Sequence, residues 1–257
     1  MSTIEGTGHA PDAQMPFTSH LAELRNRLVK SVIALAVAFF ACYLVVDNIF
    51  AVLAAPLRRL DVHGLTLIGT SVTEAFFTKL KVAFAAAVIV ASPVLLWQLW
   101  QFIAPGLYEH EKRYTRSFVL FGSVFFMAGA AFCYGIVIQH GLAFLLARFE
   151  VIDVQPLLRV GDYLSLVSRL VLAFGVMFEL PVLAFFLARV GVIDHRFLIR
   201  HSRYAMIAIA LFAAVLTPPD LIAQILLMLP LALLYAVSVA VAYLARWRMN
   251  RRERKME

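Results

Sequence analysis

The chain predicts an all-α polytopic membrane protein, six transmembrane helices with both termini cytoplasmic. Three observations carry that prediction. Hydrophobic residues make up 62% of the 257 and charged residues 15%, with a mean hydropathy of +0.85, outside the range of soluble domains. Six apolar segments, about 28–46, 80–104, 117–138, 166–189, 204–217 and 221–245, approach or exceed the length needed to cross a hydrocarbon core of roughly 30 Å. The 23 lysines and arginines are also unevenly shared between the two sides, sixteen against seven. The richer side holds Arg25, Arg27 and Lys30, then Lys112, Arg113 and Arg116, then the loop from Arg189 to Arg203, and the tail from Arg246. The positive-inside rule makes that side cytoplasmic. Because the basic residues gather at span ends without forming a stripe interleaved with aromatics, the net charge of +7 reads as topology, and no nucleic-acid partner is expected.

Taken in order, residues 1–16 are polar and acidic-leaning, a disordered tail without the pattern of a cleavable signal peptide. Residues 17–245 form the membrane domain and 246–257 a basic cytoplasmic tail. The first span follows an amphipathic turn or two, Leu21, Leu24 and Leu28, with Glu23 and Arg27 at pairing distance along a helix. Pro93, Pro181 and Pro230 lie inside spans and should bend them. Trp97, Trp100 and Trp247 fall near span ends, where interfacial aromatics are expected. External loops over about 47–79 and 139–165 are long enough to form a cap with short helices of their own. The fifth span, Tyr204–Leu216, is only about 20 Å long, so the bilayer must thin beside it or protein must cover its ends. Pro218-Pro219 then forces a tight turn into the sixth. Cys42 and Cys133 sit inside spans with no Cys or His at ligand spacing, which speaks against a disulfide, a metal or another cofactor.

One charge stands alone. Glu179 occupies the middle of the apolar run Leu170–Ala188, about 15 Å along the helix from Arg169 and from Arg189. An ionised group at that depth costs at least ~2.5–3.5 kcal/mol, so such residues face a protein interior or a wet cavity. Three roles fit it: a proton-coupling carboxylate, a polar lining for a groove, or a hydrogen-bond partner for another helix. Gln224 and Asp220 could line the same cavity, though Asp220 could simply cap its helix. Between the second and third spans, residues 102–113 read FIAPGLYEHEKR. A carboxylate beside an aromatic there would seat a guanidinium by ion pairing and cation–π contact. The same charges could equally be a solvated loop that only sets topology. Residues 20–28, HLAELRNRL, place a second carboxylate, Glu23, on the same side, with an interfacial anchor as the plainer alternative. No HExxH, GxSxG or P-loop pattern occurs, so catalysis is not expected.

Five stretches together resemble TatC, the family of twin-arginine protein translocase subunits: HLAELRNRL at 20–28, APL at 55–57, FIAPGLYEHEKR at 102–113, FGVMFELPV at 174–182 and LTPPDLIAQ at 216–224. The resemblance covers about residues 16–245 in the family's order. It implies a receptor for Arg-Arg signal peptides of folded precursor proteins, working in a hetero-oligomer with the single-span subunits TatA and TatB near spans five and six. It implies, further, a bacterial inner membrane and energy from the proton-motive force. Carried across residue by residue, it nominates Glu23, Arg25, Phe102 and Glu111 for signal-peptide binding, with Glu109 an auxiliary charge. It nominates Glu179 and Gln224 for a concave groove of bent helices within the membrane, and Pro56 and Asp220 for external-side structure or assembly. The rival reading is a proton-coupled small-solute transporter using Glu179, which would call for symmetric helix breaks that are not evident here.

Overall fold

The computed structural model describes residues 17–59, 66–103, 115–151, 157–217 and 220–253. Helix α1, Phe17–Leu44, merges the amphipathic start and the first span into one unbroken rod, as expected of a stretch holding neither glycine nor proline. A short amphipathic helix α2, Val46–Arg59, follows, then strand β1, Thr66–Ile68, and the long helix α3, Glu74–Ile103. Helix α4, Thr115–Phe132, runs through a π-helical turn, Cys133–Val137, into α5, Ile138–Val151, so this segment extends well past the expected end at residue 138. Strand β2, Leu157–Arg159, leads into α6, Val160–Met177, and α7, Glu179–Val190. Short α8, His195–Arg200, precedes α9, Ser202–Leu216, and α10, Leu221–Glu253.

Among the described residues five helical runs are long and apolar enough to cross a membrane, and α9 is a shorter apolar sixth. The successive runs traverse alternately. One end of the bundle therefore gathers α2 and the two strands, and the opposite end gathers the start of α1, the end of α3 and the end of α10. We refer to these as the strand end and the basic end.

The prolines explain several local features, since each deprives the carbonyl four residues earlier of its helical donor. Pro56 leaves the Val52 carbonyl open, and the Tyr134 hydroxyl from the π-helical turn donates to it at 2.6 Å. Pro93 leaves that of Ile89, which accepts from Ser92 Oγ at 2.7 Å. Pro181 is accommodated by a break: α6 stops at Met177, and the proline falls in the first turn of α7, where no donor is needed. Helix α7 ends at Gly191, whose φ of 83° is open to glycine and lets the Val192 amide reach back to the Leu187 carbonyl at 2.9 Å.

Helix α1 packs on α3, α3 on α4 and α6, α4 on α6, and both α7 and α9 on α10. Close approach at the centre depends on small residues. A β-carbon at Gly129 of α4 would lie 2.6 Å from the Phe174 carbonyl oxygen, and one at Gly175 of α6 would lie 2.8 Å from the Phe126 ring. Phe174, Leu164, Leu231 and Val82 anchor the main core.

At the strand end the two connecting segments are tied together. β1 and β2 pair in parallel, Thr66 with Leu157 through Ile68 with Arg159. Beside them the Glu74 carboxylate accepts from the Thr70 amide at 2.7 Å, the Thr70 hydroxyl at 2.9 Å and the Gly161 amide at 2.9 Å. Tyr163 donates to the Leu53 carbonyl at 2.9 Å, and Lys79 pairs with Asp47 at 2.5 Å.

Candidate functional site

The polar residues of the basic end are assembled by α1 and α3. Glu23 and Arg27, four apart on α1, share one face, and Arg27 Nη2 donates to Glu23 Oε1 at 3.1 Å. Arg27 Nη1 donates to Oε1 of Gln101 in the last turn of α3. Because Gln101 precedes Phe102, this bridge brings the first-helix carboxylate and the half-buried aromatic of the second span to one end of the molecule. Glu23 and Arg27 are 22% and 24% exposed, sheltered enough that a charge-assisted bond there is worth more than a fully wet one. Arg25 points outward and is exposed. Glu111, with Glu109, Lys112 and Arg113, lies outside the described residues, as do residues 1–16 and Pro218-Pro219.

Glu179 opens α7 directly after the break at Phe178 and is 7% exposed. Neither carboxylate oxygen has a hydrogen-bond partner among the described residues. Across the interface the carboxylate meets Gly122 of α4: a β-carbon there would come within 2.9 Å of Glu179 Oε2 and within 3.4 Å of the Leu96 side chain of α3. The missing side chain at Gly122 is what leaves room for the carboxylate. Gln224 sits elsewhere. Its side-chain amide donates to the Ala210 carbonyl at 3.0 Å and ties α10 to α9. The part of α10 that packs beside α7, around Val237 and Val241, is about 20 Å further along the helix. The structure therefore does not bring Glu179 and Gln224 into one cavity. Glu179 lines neither of two apolar clefts among the described residues. One of about 300 Å³ lies between α5, α6 and α10, and one of about 290 Å³ between α4, α7 and α10, lined by Phe118, Phe121, Phe185, Arg189 and Val237.

Asp220 caps α10, its carboxylate accepting from the Ala223 amide at 3.1 Å. Pro56 is buried in α2, where it frees the carbonyl that Tyr134 holds. One expectation is corrected. Trp100 is not an interfacial anchor: it is 3% exposed, wedged edge-on between Phe118 and Phe186 at centroid distances of 4.0 and 4.1 Å, with Trp97 packed against the cluster. Rotation about α3 turns both indoles inward, which depth along the sequence cannot reveal. The pairing of Arg27 with Glu23 was visible in the spacing, whereas Gln101 and Glu74, which were not anticipated, carried no local signal. Among the described residues no group of three or more His, Cys, Asp or Glu is placed to hold a metal ion.

Fold and site together define a multi-pass helical membrane protein in which Glu179 is the one buried charged residue among those described. Comparison with known proteins places it more narrowly. Residues 19–230 match the family model for the Sec-independent protein translocase protein (TatC). A TatC from Desulforapulum autotrophicum is 41% identical over 228 residues, covering 89% of this chain and 84% of the relative. One from Campylobacter jejuni is 42% identical over 223 residues, covering 86% and 91%. A crystal structure of the twin-arginine translocase receptor TatC superposes with a TM-score of 0.81 at 38% identity, covering 88% of this chain and 99% of that one. The chain belongs to the TatC family, and is thereby a subunit of a protein-translocation system. That membership does not favour the small-solute transporter reading.

Proposed function

We propose that this protein is the signal-peptide receptor and assembly core of a twin-arginine translocase, binding Arg-Arg signal peptides of folded precursors in the bacterial inner membrane. Its basic end faces the cytoplasm, with both termini there, in keeping with the sixteen-to-seven bias of lysine and arginine. The observation that carries the reading is the bridge Glu23–Arg27–Gln101, which sets a sheltered carboxylate near Phe102 at that end. A planar guanidinium can donate two parallel hydrogen bonds to a carboxylate and stack on an aromatic, which a lysine ammonium cannot. Glu111 would supply the second carboxylate and Arg25 an orienting charge. The cleft between α4, α7 and α10, reaching Arg189 at the basic end, suits the apolar stretch of the signal peptide.

Helix α9 supports the assembly role. Only Ile209 and Ala213 of it are buried, while Tyr204, Ile207, Leu211 and Val215 are bare, a face suited to the single helices of TatA and TatB. Glu179 and Gln224 act in this reading as intramembrane polar groups during insertion or recruitment. The proton-motive force supplies the energy.

Photocrosslinking from positions 23, 102 and 111 to an Arg-Arg signal peptide tests the receptor site. Glu23→Ala and Glu111→Gln should each weaken the crosslink from position 102 in protein that remains folded, and an undiminished crosslink in both would defeat the assignment. Glu179→Leu should spare that crosslink and impair transport of a folded reporter. Normal transport would make Glu179 structural only.

A further inference from the structure

The ion pair at the basic end does more than hold Glu23 in place. Arg27 spends Nη2 on Glu23 and Nη1 on Gln101, and its Nε is buried without a hydrogen-bond partner among the described residues. Three-quarters of its side chain is covered, with 24% exposed. The guanidinium is thus a fixed part of the site and not a surface charge sampling many rotamers. A carboxylate offers about four lone-pair positions. Arg27 takes one of them on Oε1, so any arriving cation must share Glu23 with a positive charge already in residence.

We propose that Arg27 is a specificity-determining residue of the signal-peptide site, an inference that rests on the receptor reading above. It positions Glu23 and makes the shared carboxylate a poorer partner for an ammonium than for a second guanidinium. A guanidinium is planar, delocalised and weakly hydrated, so it can lie against the oxygen that Arg27 leaves with its charge spread away from Arg27. An ammonium is compact and strongly hydrated, and carries its whole charge to the contact point. Repulsion from the resident guanidinium therefore weighs more on lysine than on arginine, and a repulsive element of this kind is a common basis of discrimination. Gln101 contributes by keeping that charge where it acts.

The test compares two fluorescent signal peptides, identical except for Arg-Arg or Lys-Lys, binding to the full-length protein in lipid nanodiscs. Arg27→Gln removes the charge and should narrow the preference for Arg-Arg by about threefold or more, through a relative gain by the Lys-Lys peptide. Arg27→Lys keeps the charge and should hold the preference within about twofold of wild type, even where both affinities fall. Gln101→Ala, which releases the guanidinium without removing it, should lie between the two. An unchanged preference in Arg27→Gln overturns the proposal, as does complete loss of binding in that variant or an equal narrowing in Arg27→Lys. Glu23→Ala separates the two levels of inference. If it binds the Arg-Arg peptide like wild type, the receptor site itself is misplaced. If it loses binding while Arg27→Gln leaves the preference intact, only the role of Arg27 falls.

Discussion

The two ends of this bundle use polar groups in opposite ways. At the strand end the polar groups are tied to the backbone: Glu74 accepts three hydrogen bonds, two of them from backbone amides, and tyrosines reach from α5's preceding turn and from α6 to the backbone of α2. At the basic end the chain Glu23–Arg27–Gln101 is short and half-sheltered, and among the described residues it engages only one of the two Glu23 carboxylate oxygens. A carboxylate saturated by backbone donors is committed to one geometry, whereas a carboxylate sharing one oxygen with a neighbouring side chain can exchange partners. The strand end is built as a clamp, and the basic end has the open valence that the proposed receptor role asks for. Substitutions at the two ends should accordingly separate stability from binding.

The largest effect on stability is expected from Glu74→Ala. It leaves the Gly161 and Thr70 amides without their acceptor and removes the Arg159 contact at 4.0 Å. Thermal unfolding in detergent should show a larger fall in Tm than for any single substitution at the basic end, and the segments around β1 and β2 should become open to protease. A cysteine pair at positions 67 and 158, which face each other across the parallel strands, should crosslink in the wild-type background and less so in Glu74→Ala. Equal crosslinking in both would show that the strands hold together without the carboxylate, and the clamp would then reside in the tyrosines.

Tyr134→Phe probes that second possibility with a smaller effect, about 1 kcal/mol. Its hydroxyl serves the Val52 carbonyl that Pro56 leaves open. Pro56→Ala restores a helical N–H to that carbonyl, so the cost of Tyr134→Phe should shrink in the double variant, a coupling read from a double-mutant cycle. Additive costs would mean that the hydroxyl and the proline act separately and that proline-freed carbonyls do not organise this end.

Sequence periodicity and charge reach the first of these levels and stop short of the second. The helices were legible because lipid demands long apolar runs with their backbone groups paired internally, and Glu179 was legible because a lone carboxylate in such a run is costly. The break at Phe178 followed from Pro181, three residues on. Gln101 and Glu74 were not legible. Each acts across a tertiary contact, Arg27 to Gln101 or Glu74 to Gly161, that no local pattern encodes. Trp100 misled for a related reason. Depth along a helix can be counted from its sequence, but which way a side chain faces at a given depth depends on the neighbours, here Phe118 and Phe186.

The smallest expected change in stability belongs to Glu23→Ala, and it decides whether the contrast between the ends is real. The Glu23–Arg27 pair is an i,i+4 contact, 22% and 24% exposed, and such pairs contribute ~0–1 kcal/mol. Loss of the carboxylate also leaves Arg27 its bond to Gln101, so the α1–α3 contact persists. The variant should therefore unfold within about 1 kcal/mol of wild type while its capture of an Arg-Arg peptide falls sharply. If instead Glu23→Ala unfolds as readily as Glu74→Ala, the pair is a structural staple like those at the strand end. Its effect on binding would then report a damaged fold instead of a lost contact.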